Sequence, residues 1–327
     1  MNREELTRRE FLIRSAKAGA SVAAVSGLGL WLHDETGPRS AAGTERPVTL
    51  PDFSVPGMSG KMAIVGGKDR VQTVNRALKA LGGIEAFIQQ GDRVLFKVNA
   101  AFATPPILSA TTSPDLVAEV ARLCLKAGAA TVTVTDNPIN APESAFVLSG
   151  IARAAESAGA RVMLPRKTYF NPTSVPGGRL IRDWPLLYEP FRGVNKLIGI
   201  APVKDHHRSG ASMTMKNWYG LLGGRRNIFH QDIHNVIKEL AMMVSPTLVI
   251  LDGTMTMMTN GPTGGSLDDL KETNTMIVST DQVAADAFGA TLLGKTASDL
   301  PYLLKAQAEG AGTADYSSLM PFRDHQG

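Results

Sequence analysis

From residue 62 onward, short apolar and β-branched runs alternate with longer segments of helical spacing. That alternation is what most restricts the folds open to the chain. Residues 62–65, 93–98 and 130–135 read as strands. Between them, 69–81 and 113–127 read as helices, the second with Ser113 as its cap and Pro114 at its first position. The pattern continues with a helix over 143–158, strands over 161–164 and 196–202, and a helix over 227–243 that carries His230 and His234. Strands over 248–251 and 276–278 follow, then a helix over 282–293 capped by Asp281. Strands separated by helices specify an α/β fold, a mainly parallel open sheet with helices on both faces. Residues 61–327 are expected to form a single α/β domain or two tightly joined lobes. Within it, 167–192 reads as an insertion or flap.

Residues 1–60 fall outside that pattern. Thr7-Arg8-Arg9-Glu10-Phe11-Leu12 reads as a twin-arginine export motif. Lys17 and a Gly/Ala-rich apolar run over 18–32 follow it, a run too short for a comfortable membrane span. Residues 1–42 are therefore expected to be a twin-arginine signal segment, with the translocase as partner and a periplasmic or cell-envelope destination. Ser40-Ala41-Ala42 is a candidate cleavage site, and a retained segment would anchor the protein to the membrane. Residues 43–60 read as a linker.

The first 42 residues hold six Lys/Arg and five Asp/Glu, which leaves +3 of the whole chain's +4 on the remainder. That mild charge, with no basic run interleaved with aromatics, argues against nucleic acid as a partner. The one cysteine, Cys124, lies in an apolar helical pattern and is expected to be buried. A single cysteine rules out an intrachain disulfide and a cluster held by the chain's own cysteines.

The polar residues of interest fall at strand ends, where open α/β sheets bind ligands. VLFKVNA ends in Lys97 and Asn99, and TVTVTDNP in Asp136 and Asn137. LIGIAPVKDHH ends in Lys204, Asp205, His206 and His207, and TLVILDGT in Asp252. These ends are expected to converge on one crevice. Residues 204–234 also hold four of the six histidines, with Lys216, Asn217, Arg225 and Arg226. Imidazole binds metals or moves protons near neutral pH, and a desolvated lysine forms covalent adducts. His206 and His207 are expected to face opposite ways on extended chain. His230 and His234, four apart on a helix, would share a face suited to a divalent metal. HQDIH nevertheless lacks the glutamate of the zinc-protease motif. Gly223-Gly224-Arg225-Arg226 ahead of that helix suits an anion. The turn Asn260-Gly261-Pro262-Thr263-Gly264-Gly265 lacks the end of a P-loop, and Gly66-Gly67 falls short of a dinucleotide fingerprint.

The blocks KDHHRSGASMTMKNWYGLLGG, FHQDIH, LVILDGTMTMMTNGPTGG and VSTDQVAADAFGATLLG resemble the domain-of-unknown-function family 362, from about Met62 to Leu293. Many relatives carry an appended ferredoxin-like module, whose cysteines are absent here. A second resemblance is to the nickel-pincer lactate racemase family. Its N-terminal domain has a histidine, a lysine that tethers the pincer nucleotide, a turn and a metal-binding histidine. His206, Lys216, Gly220 and His230 follow a similar order, without the GGRK and LPG contexts. The resemblance implies a cofactor-loaded protein, in keeping with an export route that carries folded chains.

Together these features point to an exported protein with a crevice for a cofactor or an anionic small molecule. His206 and Lys216 are the candidate catalytic groups, and His206 and His230, with His234, the candidate metal ligands. Lys97, Asn99, Asp136, Lys204, Asn217, Arg225, Arg226 and Asp252 are the candidate binding residues. If the protein is an enzyme, proton transfer next to a carboxylate or a metal-assisted redox step would suit these groups. The alternatives are a non-catalytic periplasmic binding protein for an anion or metal, and an accessory subunit of a membrane redox complex.

Overall fold

Eleven strands and eight α-helices are found among the described residues of the computed structural model, which are 46–324 together with Arg9. The twin-arginine motif, apart from Arg9, and the apolar run after it lie outside them. In chain order, β1 (Met62–Gly66) leads to α1 (Arg70–Ala80), and β2 (Arg93–Lys97) to α2 (Pro114–Lys126). Then come β3 (Thr131–Thr135), α3 (Pro142–Leu148), α4 (Ile151–Ser157), β4 (Arg161–Val162), β5 (Phe170–Thr173) and β6 (Trp184–Leu187). The second half holds β7 (Lys196–His206), β8 (Gly210–Ser212), α5 (Thr214–Asn217), α6 (Ile233–Met243), β9 (Leu248–Met257), β10 (Leu270–Ser279), α7 (Gln282–Leu292), α8 (Pro301–Ala308) and β11 (Phe322–Asp324).

The main sheet runs β11-β1-β10-β9-β7-β2-β3-β4, with β8 folded back antiparallel on β7. Along this path β10 alone runs against its neighbours. The sheet is therefore mainly parallel, as the alternation implies. Alternate residues of each strand enter two separate cores, as the pleat requires. Val249 and Leu251 of β9 pack with α6, α7 and α8 through Leu240, Val283 and Leu303. Leu248 and Ile250 of the same strand pack with α1, α2 and α4 through Val74, Val120 and Ile151. Helices thus cover both faces. Cys124 of α2 is free and buried there, and burial pushes its thiol up to about 12.

Several elements depart from the sequence reading. The helix expected over 143–158 is two short ones, parted where Gly150 adopts φ 74°. That left-handed backbone cannot continue a helix. The helix expected over 227–243 begins as a 3₁₀ segment (Arg226–Asp232) and becomes α-helical only at Ile233. β7 and β9 run several residues past their apolar stretches, because Lys204 and Met257 pair beyond a register shift. The flap is a hairpin, β5 against β6. Residues expected to be linker dock on the core: the Phe53 ring is buried near Phe191, and its N–H bonds Ser245 O at 3.0 Å.

Asp281 caps α7 through the amides of Val283 and Ala284, as expected. A close approach in the central strand β7 is at Gly199. A Cβ there would lie 2.6 Å from Cη2 of the buried Trp218. We expect Gly199→Ala to cost about 1–3 kcal/mol, the usual penalty of overpacking. Chemical denaturation followed by tryptophan fluorescence checks this. An unchanged midpoint and spectrum would show that Trp218 is not held against β7.

Candidate active site

The carboxyl ends of β2, β3 and β7 meet the chain from Met213 to Gly220 at a cavity of about 90 Å³. At its floor Lys97 Nζ lies 2.8 Å from Asp136 Oδ1, with both side chains almost completely buried. Lys97 also donates to Val98 O at 2.5 Å and Asn217 Oδ1 at 3.0 Å. Asp136 accepts from the amides of Ala100 and Asn137 at 2.7 and 2.8 Å. Gly220 makes this packing possible, since a Cβ there would stand 2.0 Å from Asp136 Oδ1 and 2.9 Å from Lys97 Nζ. Desolvation lowers the pKa of Lys97 and the adjacent carboxylate opposes that shift. The pair is fully engaged and serves as a foundation for the groups above it.

Those groups are cationic. Lys204, buried on β7, donates to Ala110 O at 2.6 Å and lies over the Phe102 ring. Burial, with help from the charge of Lys216, lowers its pKa to about 7. Lys216 sits over the Tyr219 ring, 5.4 Å from its centroid, and has no hydrogen bond or ion pair among the described residues. Desolvation and then Arg226 lower it to about 8. Arg226 donates to four backbone carbonyls, those of Tyr219, Leu222, Asn137 and Pro138. None of these three cations forms an ion pair among the described residues.

Two imidazoles face this charge. His206 Nδ1 accepts from the amides of Arg208 and Ser209 at 3.1 and 3.2 Å. An acceptor at Nδ1 places the neutral ring's proton on Nε2. Burial, then the surrounding cations, push its pKa down to about 2. His230 has the opposite tautomer. Tyr219 gives its hydroxyl proton to Arg226 O, so His230 Nδ1–H points at Tyr219 Oη (3.2 Å) and Asn227 O (3.3 Å). Its Nε2 keeps a lone pair, and burial also lowers its pKa. The two rings stack at 5.9 Å. Asn99 Oδ1 is buried in the same cleft without a partner.

The cleft thus gathers Lys97, Asn99, Asp136, Lys204, His206, Lys216, Asn217, Arg226 and His230. It does not gather the rest. Asp252 bonds Arg70 Nε at 2.6 Å in a separate pocket, because the loop 99–112 crosses the strand ends between the two spaces. In that loop the carbonyl of Ala110 meets Lys204, whereas Ser109 and Thr111 line the pocket of Asp252. Arg225 is exposed, and Gly223 N–H is taken by Pro185 O, so this turn is not an anion-binding helix terminus. His234 stacks on Tyr302, away from His230, because the 3₁₀ segment breaks the expected helical spacing. His207 is exposed but stacks on His206 at 4.9 Å rather than facing away, since β7 ends at His206. The sequence reading assigns no role to Trp218 and Tyr219, yet Trp218 is buried and bonds Gln282. It also passed over Phe102, Ile139 and Pro262, whose only signal was nearness to a strand end or turn.

The model of the family described as "Domain of unknown function (DUF362)" matches residues 94–291. The chain belongs to this family. It is 28% identical over 222 residues to the thylakoid-associated protein sll1697 of Synechocystis, covering 64% of this chain and 65% of that one. The lactate racemase apoprotein of Thermoanaerobacterium thermosaccharolyticum matches with a TM-score of 0.38 and 13% identity. That match covers 75% of this chain and 60% of the racemase, and a likeness of that degree says nothing about chemistry. The chain thus spans less than two thirds of the length of either protein.

Among the described residues no three His, Cys, Asp or Glu side chains are grouped to hold a metal ion. His206 could offer a metal only Nε2, which carries its proton, and the nearby lysines oppose a cation. The donor set favours an anion. Gly220→Ala should force Asp136 and Lys97 apart and cost about 3–5 kcal/mol, the usual effect of breaking a buried pair. Equilibrium unfolding checks it, and a loss below about 1 kcal/mol would show that the pair is not a foundation.

Proposed function

We propose that the cleft binds a small carboxylate bearing a second oxygen function and moves a proton at the adjoining carbon. One observation carries this reading: two stacked neutral histidines with opposite tautomers stand among three cations, Lys204, Lys216 and Arg226, that have no carboxylate partner among the described residues. Lys204 and Lys216 attract the carboxylate. Asn99, with its unmet buried oxygen, addresses the second oxygen function through a hydroxyl. His230 Nε2 is the base, and His206 Nε2–H the hydrogen-bond donor. The cavity volume suits a ligand of few atoms.

The test is hydrogen–deuterium exchange at the carbon next to the carboxylate, followed by NMR over a panel of small hydroxy and oxo acids. His230→Ala should slow exchange by about 10²–10⁴-fold. Binding without exchange in the unmodified protein would make this a binding protein, and absence of both would reject the site. Metal analysis of the natively exported protein tests whether the lone pair of His230 also holds a divalent ion.

The lysines set the pH response. Lys216 gains its proton as pH falls through about 8, and Lys204 as it falls through about 7. Acetate should therefore bind more tightly at pH 6 than at pH 9, by on the order of tenfold for each added charge. Calorimetric titration checks the direction, and pH-independent affinity would count against the lysines.

We also propose that the protein reaches the cell envelope by the twin-arginine route, from the motif around Arg8-Arg9 and the apolar run behind it. Arg8→Lys with Arg9→Lys should hold it in the cytoplasm. Normal recovery of the double variant from the periplasm would reject the route.

A further inference from the structure

Lys216 stands apart from the other cations of the cleft. Lys97 is tied to Asp136, Lys204 to Ala110 O, and Arg226 to four carbonyls. Lys216 Nζ has no hydrogen bond or ion pair among the described residues, although its side chain is largely buried and the wall beneath it is an aromatic ring. The segment that carries it is nevertheless anchored. Asp286 of α7 accepts from the amides of Thr214 and Met215 at 2.8 and 3.0 Å, and the next two residues, Asn217 and Trp218, are buried. The protein thus holds an amine in place over a ring, with no hydrogen-bond or charged partner among the described residues.

We propose that Lys216 is a nucleophile that forms an imine with a 2-oxo acid bound in the cleft. The proposal rests on the anion-binding reading above and names its substrate class. A carboxylate held near Lys204 brings the neighbouring carbonyl carbon toward Lys216. A lysine needs its neutral form for this step, and burial beside Arg226 lowers its pKa to about 8, so a substantial share is neutral near pH 8.

The step balances within the cleft. The lone pair of Nζ attacks the carbonyl carbon, a C–N bond forms, and the C=O π pair moves onto oxygen. His206 Nε2–H donates a hydrogen bond to that oxygen without giving up its proton. His230 Nε2 takes one proton from nitrogen and delivers it to the oxygen, giving a carbinolamine. It then relays the second nitrogen proton as the C–O bond breaks. One water leaves, an imine remains, and both histidines return to their starting forms. The imine nitrogen then takes a proton from water, and the resulting cation withdraws electrons from the neighbouring carbon and acidifies its C–H bonds, which lets an imidazole act on them.

The experiment traps the imine. The full-length exported protein is incubated with pyruvate, the simplest ketone-bearing carboxylate, and reduced with borohydride. Intact mass and peptide mapping then locate any adduct. The expected result is a single reduced adduct on the peptide containing Lys216, lost in Lys216→Arg and in Lys216→Met. Circular dichroism confirms that both variants are folded. His230→Ala should still form the adduct, at least tenfold more slowly. Pyruvate binding is measured in parallel by saturation-transfer NMR. Binding without trapping at Lys216 overturns the imine and leaves the anion site standing. Neither binding nor trapping overturns both. An adduct spread over surface lysines, at equal yield in Lys216→Met, also overturns the proposal.

Discussion

The Lys97–Asp136 pair is the contact on which the rest of the cleft depends. It joins the ends of β2 and β3, two parallel neighbours in the sheet, and reaches through Asn217 to the segment that carries Lys216. Taking two charges out of water is costly, and an apolar pair would often be as stable. What the pair adds is position. Each oxygen of Asp136 bonds a backbone amide, so the loops leaving both strands are drawn to one point. The bare backbone of Gly220 closes over that point, and Asn137 N–H bonds its carbonyl. Tyr219 and Lys216 are thereby held at the rim.

The groups above the pair reduce stability at neutral pH. Burial lowers Lys204 and Lys216 to about 7 and about 8, well below the ordinary lysine value. Between those values and about 10.5 the unfolded chain binds more protons than the folded one, so stability rises with pH across that window. Below it the fold carries the full cost of the mismatch, which an unstrained surface lysine would not impose. A bound anion favours the charged form of both lysines and offsets part of this cost. A cost of this kind, concentrated in one cleft, supports the binding role proposed for it.

Much of this was legible in the sequence, and the failures have physical causes. Lys97, Asp136, Lys204 and His206 could be placed because β-branched runs end at polar residues, and in a parallel sheet such ends share one edge. The same logic misplaced Asp252. Its apolar run ends at Leu251, but β9 continues to Met257, and the loop 99–112 separates the two spaces. Loop paths leave no periodic signal. His234 was misplaced by local geometry, since a 3₁₀ turn and an α-turn have similar sequences but place later residues differently. Gly150 breaks a helix that spacing alone would continue. The tautomers of His206 and His230 depend on amides and carbonyls that no side-chain motif records.

Those tautomers reverse the usual expectation for a histidine site. Histidine is the ordinary switch between pH 5 and 8. Here burial and the neighbouring cations keep His206 neutral, with its pKa pushed down to about 2, and His230 is shifted the same way. The lysines instead titrate across the physiological range. A fall in pH therefore recharges the two lysines before it reaches the two imidazoles. The usual roles are exchanged because six basic side chains line this cleft with a single buried carboxylate, and that carboxylate is already committed to Lys97.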